Sequence, residues 1–219
     1  MPKKNGHIEI QMESGFQPWL AAAREDNRPV LQGVWIDPKG YMVASDGSIL
    51  AVVPCKITGA PRSFPGALVP ADFVKGAAKN RKGVPVWWPL LTLDMTANTA
   101  TREVSSSSER VTVDLIAGTF PNWRQIIPAR RDLGAQRIKT YDPNLLSKVS
   151  GAIGANFPHV YFHKNSGPAV VTGSQDKAFG LLSPVVHIPG DARLQHALKL
   201  RQASPKPNPL EESHTPSKS

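Results

Sequence analysis

Few residues in this 219-residue chain combine the types and spacing that chemistry needs. The first candidate is Asp46-Gly47-Ser48, an acid and a hydroxyl set between two apolar runs. As a reactive pair, Asp46 and Ser48 would need a neighbouring base or a second carboxylate, and the sequence places none beside them. As a turn, Asp-Gly between "YMVAS" and "SILAVV" is a strong hairpin signal of the two-residue type I′ kind, with positive φ at both central positions. The second candidate is the pair His159 and His163 in "HVYFHK". On a helix they could share a zinc ion, but Val160, Tyr161 and Phe162 make the segment a strand. Four strand residues span about 13 Å, too far for two zinc–imidazole bonds of about 2 Å each. His7, His187, His196 and His214 have no ligand spacing, so no metal and no cofactor is expected.

Three scattered acids, Asp46, Asp94 and Asp114, could in principle serve a hydrolase or nuclease, but each is better explained as a turn or strand-edge residue. The chain has no phosphate-binding P-loop, no GxGxxG after a strand, no GxSxG elbow and no CxxC. The expectation is a protein that is not an enzyme. Cys55, the single cysteine, lies in an apolar run and reads as a small buried thiol, which fits a reducing cytoplasm. No apolar run reaches the roughly 18 residues of a membrane span. The start, "MPKKNGHIEIQ", lacks the apolar centre of a secretory signal. The formal charge of +9 is spread along the chain, with no single tail holding it, and suits a polyanionic partner such as nucleic acid.

The elements that position these residues follow a rhythm, in which a short strand or turn leads into a helix and strands follow it. Amphipathic helices are expected in "SGFQPWLAAARED", "PADFVKGAAKN" and "DPNLLSKVSGAI", centred on Leu20, Val74 and Leu146. Three strands follow each: "VLQGVWID", "GYMVAS" and "SILAVVPCKI"; "VPVWWPLLTLDM", "TATREVSS" and "RVTVDLIA"; "HVYFHK", "GPAVVTG" and "AFGLLSPVVHI". Val111, Val113 and Leu115 share one face of "RVTVDLIA", which argues for antiparallel sheets covered on one side. With strands outnumbering helices threefold, the fold class is α+β. "GDARLQHALKLR" predicts a short terminal helix over 191–202, and the proline-rich 203–219 a disordered tail. In the second helix, Lys75 and Lys79 share a face while Phe73, Val74 and Ala77 supply the packing side. Arg81 and Lys82 extend the positive end, which either complements the helix dipole or contacts phosphates.

Ordered motifs then add a resemblance. "RPVLQGVWID" (28–37), "VASDGSILAVVP" (43–54), "GALVPADFVKGAAK" (66–79) and "GTFPNWRQIIP" (118–128) resemble, in family order, the middle domain of bacterial sliding clamps, the β subunit of DNA polymerase III. "TYDPNLLSKVSGAI" with "GPAVVTGSQDKAFGLLSPV" is similar to the closing half of the clamp's last domain, which ends in a Met-Pro-Met-like strand that reads "LLSPV" here. The resemblance implies a clamp-like fold of about three helix-plus-strand units, with a middle-domain-like region at 1–129 and a half-domain at 130–190. It implies a non-enzymatic scaffold for duplex DNA, held by its backbone without sequence readout, with Arg24, Arg28, Lys75, Lys79, Lys82 and Lys148 toward the phosphates. It also implies a groove for short apolar motifs of DNA polymerases or repair proteins. The matching positions are Leu31, Ser45, Gly47, Ser48, Ile49, Leu50, Ile126, Pro128, Leu181, Ser183, Pro184 and Val185, with core packing the alternative for Leu31, Leu50 and Leu181.

The clamp's first domain and the opening half of its last have no counterpart, since only "ARRDLGAQRIKT" separates "QIIP" from the third unit. Four copies of three units would supply a tetrameric ring of twelve. A monomer would instead need its bare sheet edge covered, by the helix at 191–202 for example. A decoy that sequesters clamp partners without encircling DNA is the alternative function, and either form suits a gene carried by a phage or other mobile element.

Overall fold

Alternation along the first segment sets the pattern. In β1 (His7–Glu13), Ile8, Ile10 and Met12 point into the core while the residues between them stay at least partly open. The computed structural model describes residues 7–24, 28–79, 87–103, 110–133, 141–165, 167–173 and 178–184, with backbone alone at 79 and 87–89. The expected terminal helix over 191–202 and the tail over 203–219 lie outside the described residues.

Next come β2 (Gly33–Asp37), β3 (Tyr41–Ser45), β4 (Ile49–Thr58) and β5 (Ala67–Pro70), then helix α1 (Ala71–Lys79). β6 (Trp87–Asp94), β7 (Thr99–Glu103) and β8 (Arg110–Asp114) follow, then α2 (Pro143–Ala152), β9 (His159–Tyr161), β10 (Ala169–Thr172) and β11 (Phe179–Leu182). Among the described residues every strand pair is antiparallel, and the main path runs β5-β2-β3-β4-β1-β6-β7-β8. β4 makes the branch. One of its edges pairs with β3, while the other takes β11 along Ile49–Val52 and β1 along Cys55–Thr58. β10 and β9 then extend the sheet beyond β11. The architecture is thus the expected mix of helices and antiparallel sheet.

β1 and β5 occupy the places before the first and second helical segments where a short strand or turn was expected. The first expected helix is replaced by a 3₁₀ turn, Pro18–Ala21, with a second at Pro29–Gln32. Tertiary bonds explain this. The Gln17 amide donates to Ala152 O at 2.9 Å, and the Ala23 amide to Leu31 O at 2.9 Å, so the chain leaves helical geometry at Ala22. The α1 and α2 segments keep their helices. α2 starts on Pro143 behind Asp142, whose carboxylate accepts from the Asn144 amide at 2.8 Å.

One-sided cover holds for β8, where Val111 and Val113 face the core and Arg110, Thr112 and Asp114 face out. It fails around β4, which is buried on both faces. Ile49, Ala51 and Val53 join the main core beneath the helices, while Leu50 and Val52 join a smaller cluster on the opposite side. The cover there is the segment after β8, which brings Ile116, Phe120, Trp123 and Ile127 over the outer face. The Ile116 amide fastens it to Leu68 O of β5 at 2.8 Å.

Candidate functional site: the β4–β11 junction

The Asp46-Gly47 hairpin is a four-residue loop built by side chains, because Ser45 pairs with Leu50 in the ladder. Asp46 Oδ1 accepts from the Ser48 and Ile49 amides, both at 2.9 Å. Ser45 Oγ accepts from the Gly47 amide at 3.0 Å and donates to Ile49 O at 2.7 Å. Of the loop residues only Gly47 has positive φ, at +93°, so the expected type I′ geometry is corrected to an Asx-type turn. The carboxylate supplies the acceptors that positive φ at Asp46 would otherwise have had to arrange. Asp94 does the same for the Thr96 and Ala97 amides at 2.9 and 3.0 Å, and those bonds lower its pKa. Asp114 is exposed on β8, so these acids sit at turns and an edge. Among the described residues no three His, Cys, Asp or Glu side chains come together as a metal site would require.

Beside the turn, β11 runs along β4 with Leu181 opposite Leu50 and Leu182 opposite Ile49. The Ser183 amide then donates to Ser48 O at 3.0 Å, tying the exit of β11 to the loop. Leu31, Leu50 and Leu181 therefore converge in the smaller cluster, each no more than 3% exposed. Ile49 points the other way, into the main core, because neighbours on a strand alternate faces. Of the other expected groove residues, Ser45, Pro128, Ser183 and Pro184 are half-buried, Gly47 and Ser48 are exposed and Ile126 is half-exposed. Val185 lies outside the described residues. A Cβ at Gly47 would come 3.2 Å from Arg28 Nη2, which places the Arg28 guanidinium against this turn.

Sequence reasoning missed Trp123 and the buried ion pair that holds it. Trp123 packs among Leu31, Leu50 and Leu181, with the Tyr41 ring at 6.1 Å and the Phe179 ring at 6.3 Å. Its indole N–H donates to Asp37 Oδ2 at 3.2 Å. Arg124 grips the same carboxylate through both terminal nitrogens, at 2.7 and 3.0 Å, and the Lys39 amide adds a bond of 2.9 Å. Burial pushes the Asp37 carboxyl up. The Arg124, Lys39 and Trp123 hydrogen bonds, with the Arg124 charge, outweigh it and leave the group below the ordinary carboxylate value. The only sequence signal was an acid in a strand otherwise made of apolar residues.

On the helix side, the Pro18–Ala21 turn packs against both α1 and α2. Lys148 on α2 is exposed, Lys75 on α1 is half-buried, and exposed Arg24 lies three residues past the Pro18–Ala21 turn. Lys79 closes α1, and Lys82 lies outside the described residues. Arg102 lies over the Phe73 ring of α1, 5.2 Å from its centroid. Among the described residues no helix is long and apolar enough to cross a membrane.

No protein-family model matches the chain, and no curated protein matches it. Solved structures do. The DNA polymerase sliding clamp of Bacillus subtilis matches with a TM-score of 0.61 at 14% identity, over 86% of this chain and 67% of that one. A DnaN sliding clamp (DNA polymerase III subunit beta) from Bartonella birtlesii, solved with griselimycin bound, matches at 0.60 and 14%, over 84% and 67%. The C. crescentus beta sliding clamp matches at 0.60 and 15%, over 85% and 68%. At these identities the likeness is one of backbone, and it shows that this chain has a sliding-clamp-like fold.

Proposed function

We propose that this protein is a non-enzymatic, clamp-like scaffold that associates with duplex DNA and docks short apolar segments of replication or repair proteins at the β4–β11 junction. One observation carries the reading: Leu31, Leu50 and Leu181, from three distant stretches, meet in a single apolar cluster. In this reading Ser45, Gly47, Ser48, Ile126, Pro128, Ser183 and Pro184 line the groove beside it, a role supported by their being half-buried or exposed. The mechanism is binding alone. Apolar side chains of the partner add to the cluster. Arg24, Lys75, Lys79, Lys82 and Lys148, with Arg28 at the Gly47 turn, supply salt-dependent attraction to phosphates without reading sequence. Residues 1–129 serve as the middle-domain-like part and 130–190 as the half-domain, and four copies would supply a ring of twelve units.

The test is fluorescence anisotropy with a labelled peptide carrying a short apolar clamp-binding motif. Micromolar or tighter binding is expected. Ile126→Glu, at a position 52% exposed, should weaken it about tenfold while the fold is kept. Leu50 is a poorer probe, since at 2% exposure its replacement by a charge perturbs folding as well as docking. No binding by the folded protein removes the groove. Peptide binding without retention on DNA selects the decoy that sequesters clamp partners.

A further inference from the structure

The last strand of each of the three expected units lies on the outside of that unit's sheet: β4, β8 and β11. Two of the three satisfy each other, because β4 and β11 pair antiparallel along Ile49–Val52 and Phe179–Leu182. The third does not. β8 pairs with β7 on its inner edge and ends the strand path, so among the described residues its outer edge has no strand beside it.

β8 reads Arg110-Val111-Thr112-Val113-Asp114, a sequence that mirrors itself in chemistry about Thr112. In an antiparallel pair of two such strands centred on Thr112, Arg110 stands opposite the second copy's Asp114 at both ends. Val111 stands opposite the second copy's Val113, and the two Thr112 side chains face each other. The faces sort correctly as well. Arg110, Thr112 and Asp114 are exposed, so the opposite charges meet on the solvent side. Val111 and Val113 are half-buried at the rim of the main core, so the apolar row continues from one copy into the next. Edge strands that stay single are usually guarded by charges that repel a copy of themselves. Here both charges become attractive on self-pairing. The present partner of Arg110 is Glu103 at 3.7 Å, with both side chains about 70% exposed, a contact weak enough to exchange.

We propose that β8 is a self-association surface, and that two copies of this chain pair through it antiparallel about Thr112 with two-fold symmetry. The inference does not rest on the function proposed above. A five-residue strand pair buries less than a standard interface, so the dimer is weak and concentration-dependent. The contact is isologous and therefore closed: one edge serves one partner.

Sedimentation equilibrium of the full chain over a wide concentration range, at low salt, tests it. The wild-type protein should show a monomer–dimer equilibrium. Arg110→Asp sets carboxylates opposite each other at both ends of the paired strands and should weaken the dimer about tenfold or more. The charge swap Arg110→Asp with Asp114→Arg should restore it, with circular dichroism confirming the fold of each variant. Thr112→Cys reads the register directly. Under mild oxidation it should link two copies, whereas Asp114→Cys, which faces Arg110 across the pair, should not. The native Cys55 is buried and does not compete. A monomer at every concentration overturns the proposal. So does any oligomer, a ring of four included, that survives Arg110→Asp and is not linked through Thr112→Cys.

Discussion

Arg124→Leu separates the buried carboxylate of Asp37 from its counter-charge, and the geometry sets the expected loss. The Asp37 side chain is 4% exposed and that of Arg124 is 37% exposed, so the pair is buried at one end and wetted at the other. Removing one partner from a fully buried pair costs about 3–5 kcal/mol, while exposed pairs contribute about 0–1 kcal/mol. A half-wetted pair falls between, at about 2–3 kcal/mol. The guanidinium also stacks over the Trp123 ring at 4.1 Å, adding about 0.5 kcal/mol. Urea denaturation followed by tryptophan fluorescence should therefore report a loss of about 3 kcal/mol at neutral pH. The loss must also depend on pH. The folded Asp37 carboxyl has a lowered pKa. Its contribution is present above the unfolded carboxylate value of about 3.9 and disappears as pH falls through the lower folded value. The difference between wild type and Arg124→Leu should accordingly shrink in acid. In the double variant Asp37→Asn with Arg124→Leu, about 1 kcal/mol or more should return, because no charge is left buried. A neutral-pH loss below about 0.5 kcal/mol, or an equal loss in acid, would refute this account.

Two further outcomes are expected. Burial, with a smaller push from the Asp37 charge, raises the Cys55 thiol to about 12; the folded protein should resist thiol-alkylating reagents at mildly alkaline pH and react once unfolded in urea. Because the unfolded thiol ionises near 8.5, stability should decline as pH rises from there toward the folded value, by up to about 5 kcal/mol for this one group. Asp46→Ala removes the acceptor for two loop amides; it should cost about 1 kcal/mol in thermal or urea unfolding and speed hydrogen exchange at Ser48 and Ile49 without removing β3 or β4.

Alternation made most of the strands legible, and α1 and α2 were legible from their apolar spacing, with Asp142 and Pro143 marking the start of α2. What could not be read came from long-range partners. The 3₁₀ turn at Pro18–Ala21 replaces a plausible helix because amides on either side of it bond to Ala152 and Leu31. The Arg124–Asp37 pair joins residues 87 positions apart, and no local pattern announces it. The β4 segment was recognisable as a strand, but its length conceals that two different strands share one of its edges. The Asp46 turn shows both limits: Asp-Gly marked the hairpin, while its side-chain bonds set a geometry that the dipeptide rule does not specify.

That shared edge has a consequence during synthesis. β4 can pair with β3 almost at once, but β11 is translated more than a hundred residues later. At about 5–20 residues per second, Ile49–Val52 stays half-paired for roughly ten seconds. These residues are apolar on both faces, the composition most apt to recruit a neighbouring nascent chain. The Asx turn beside them becomes a kinetic guard. By fixing β3 against β4 early, it leaves one open edge instead of two until the last strand arrives.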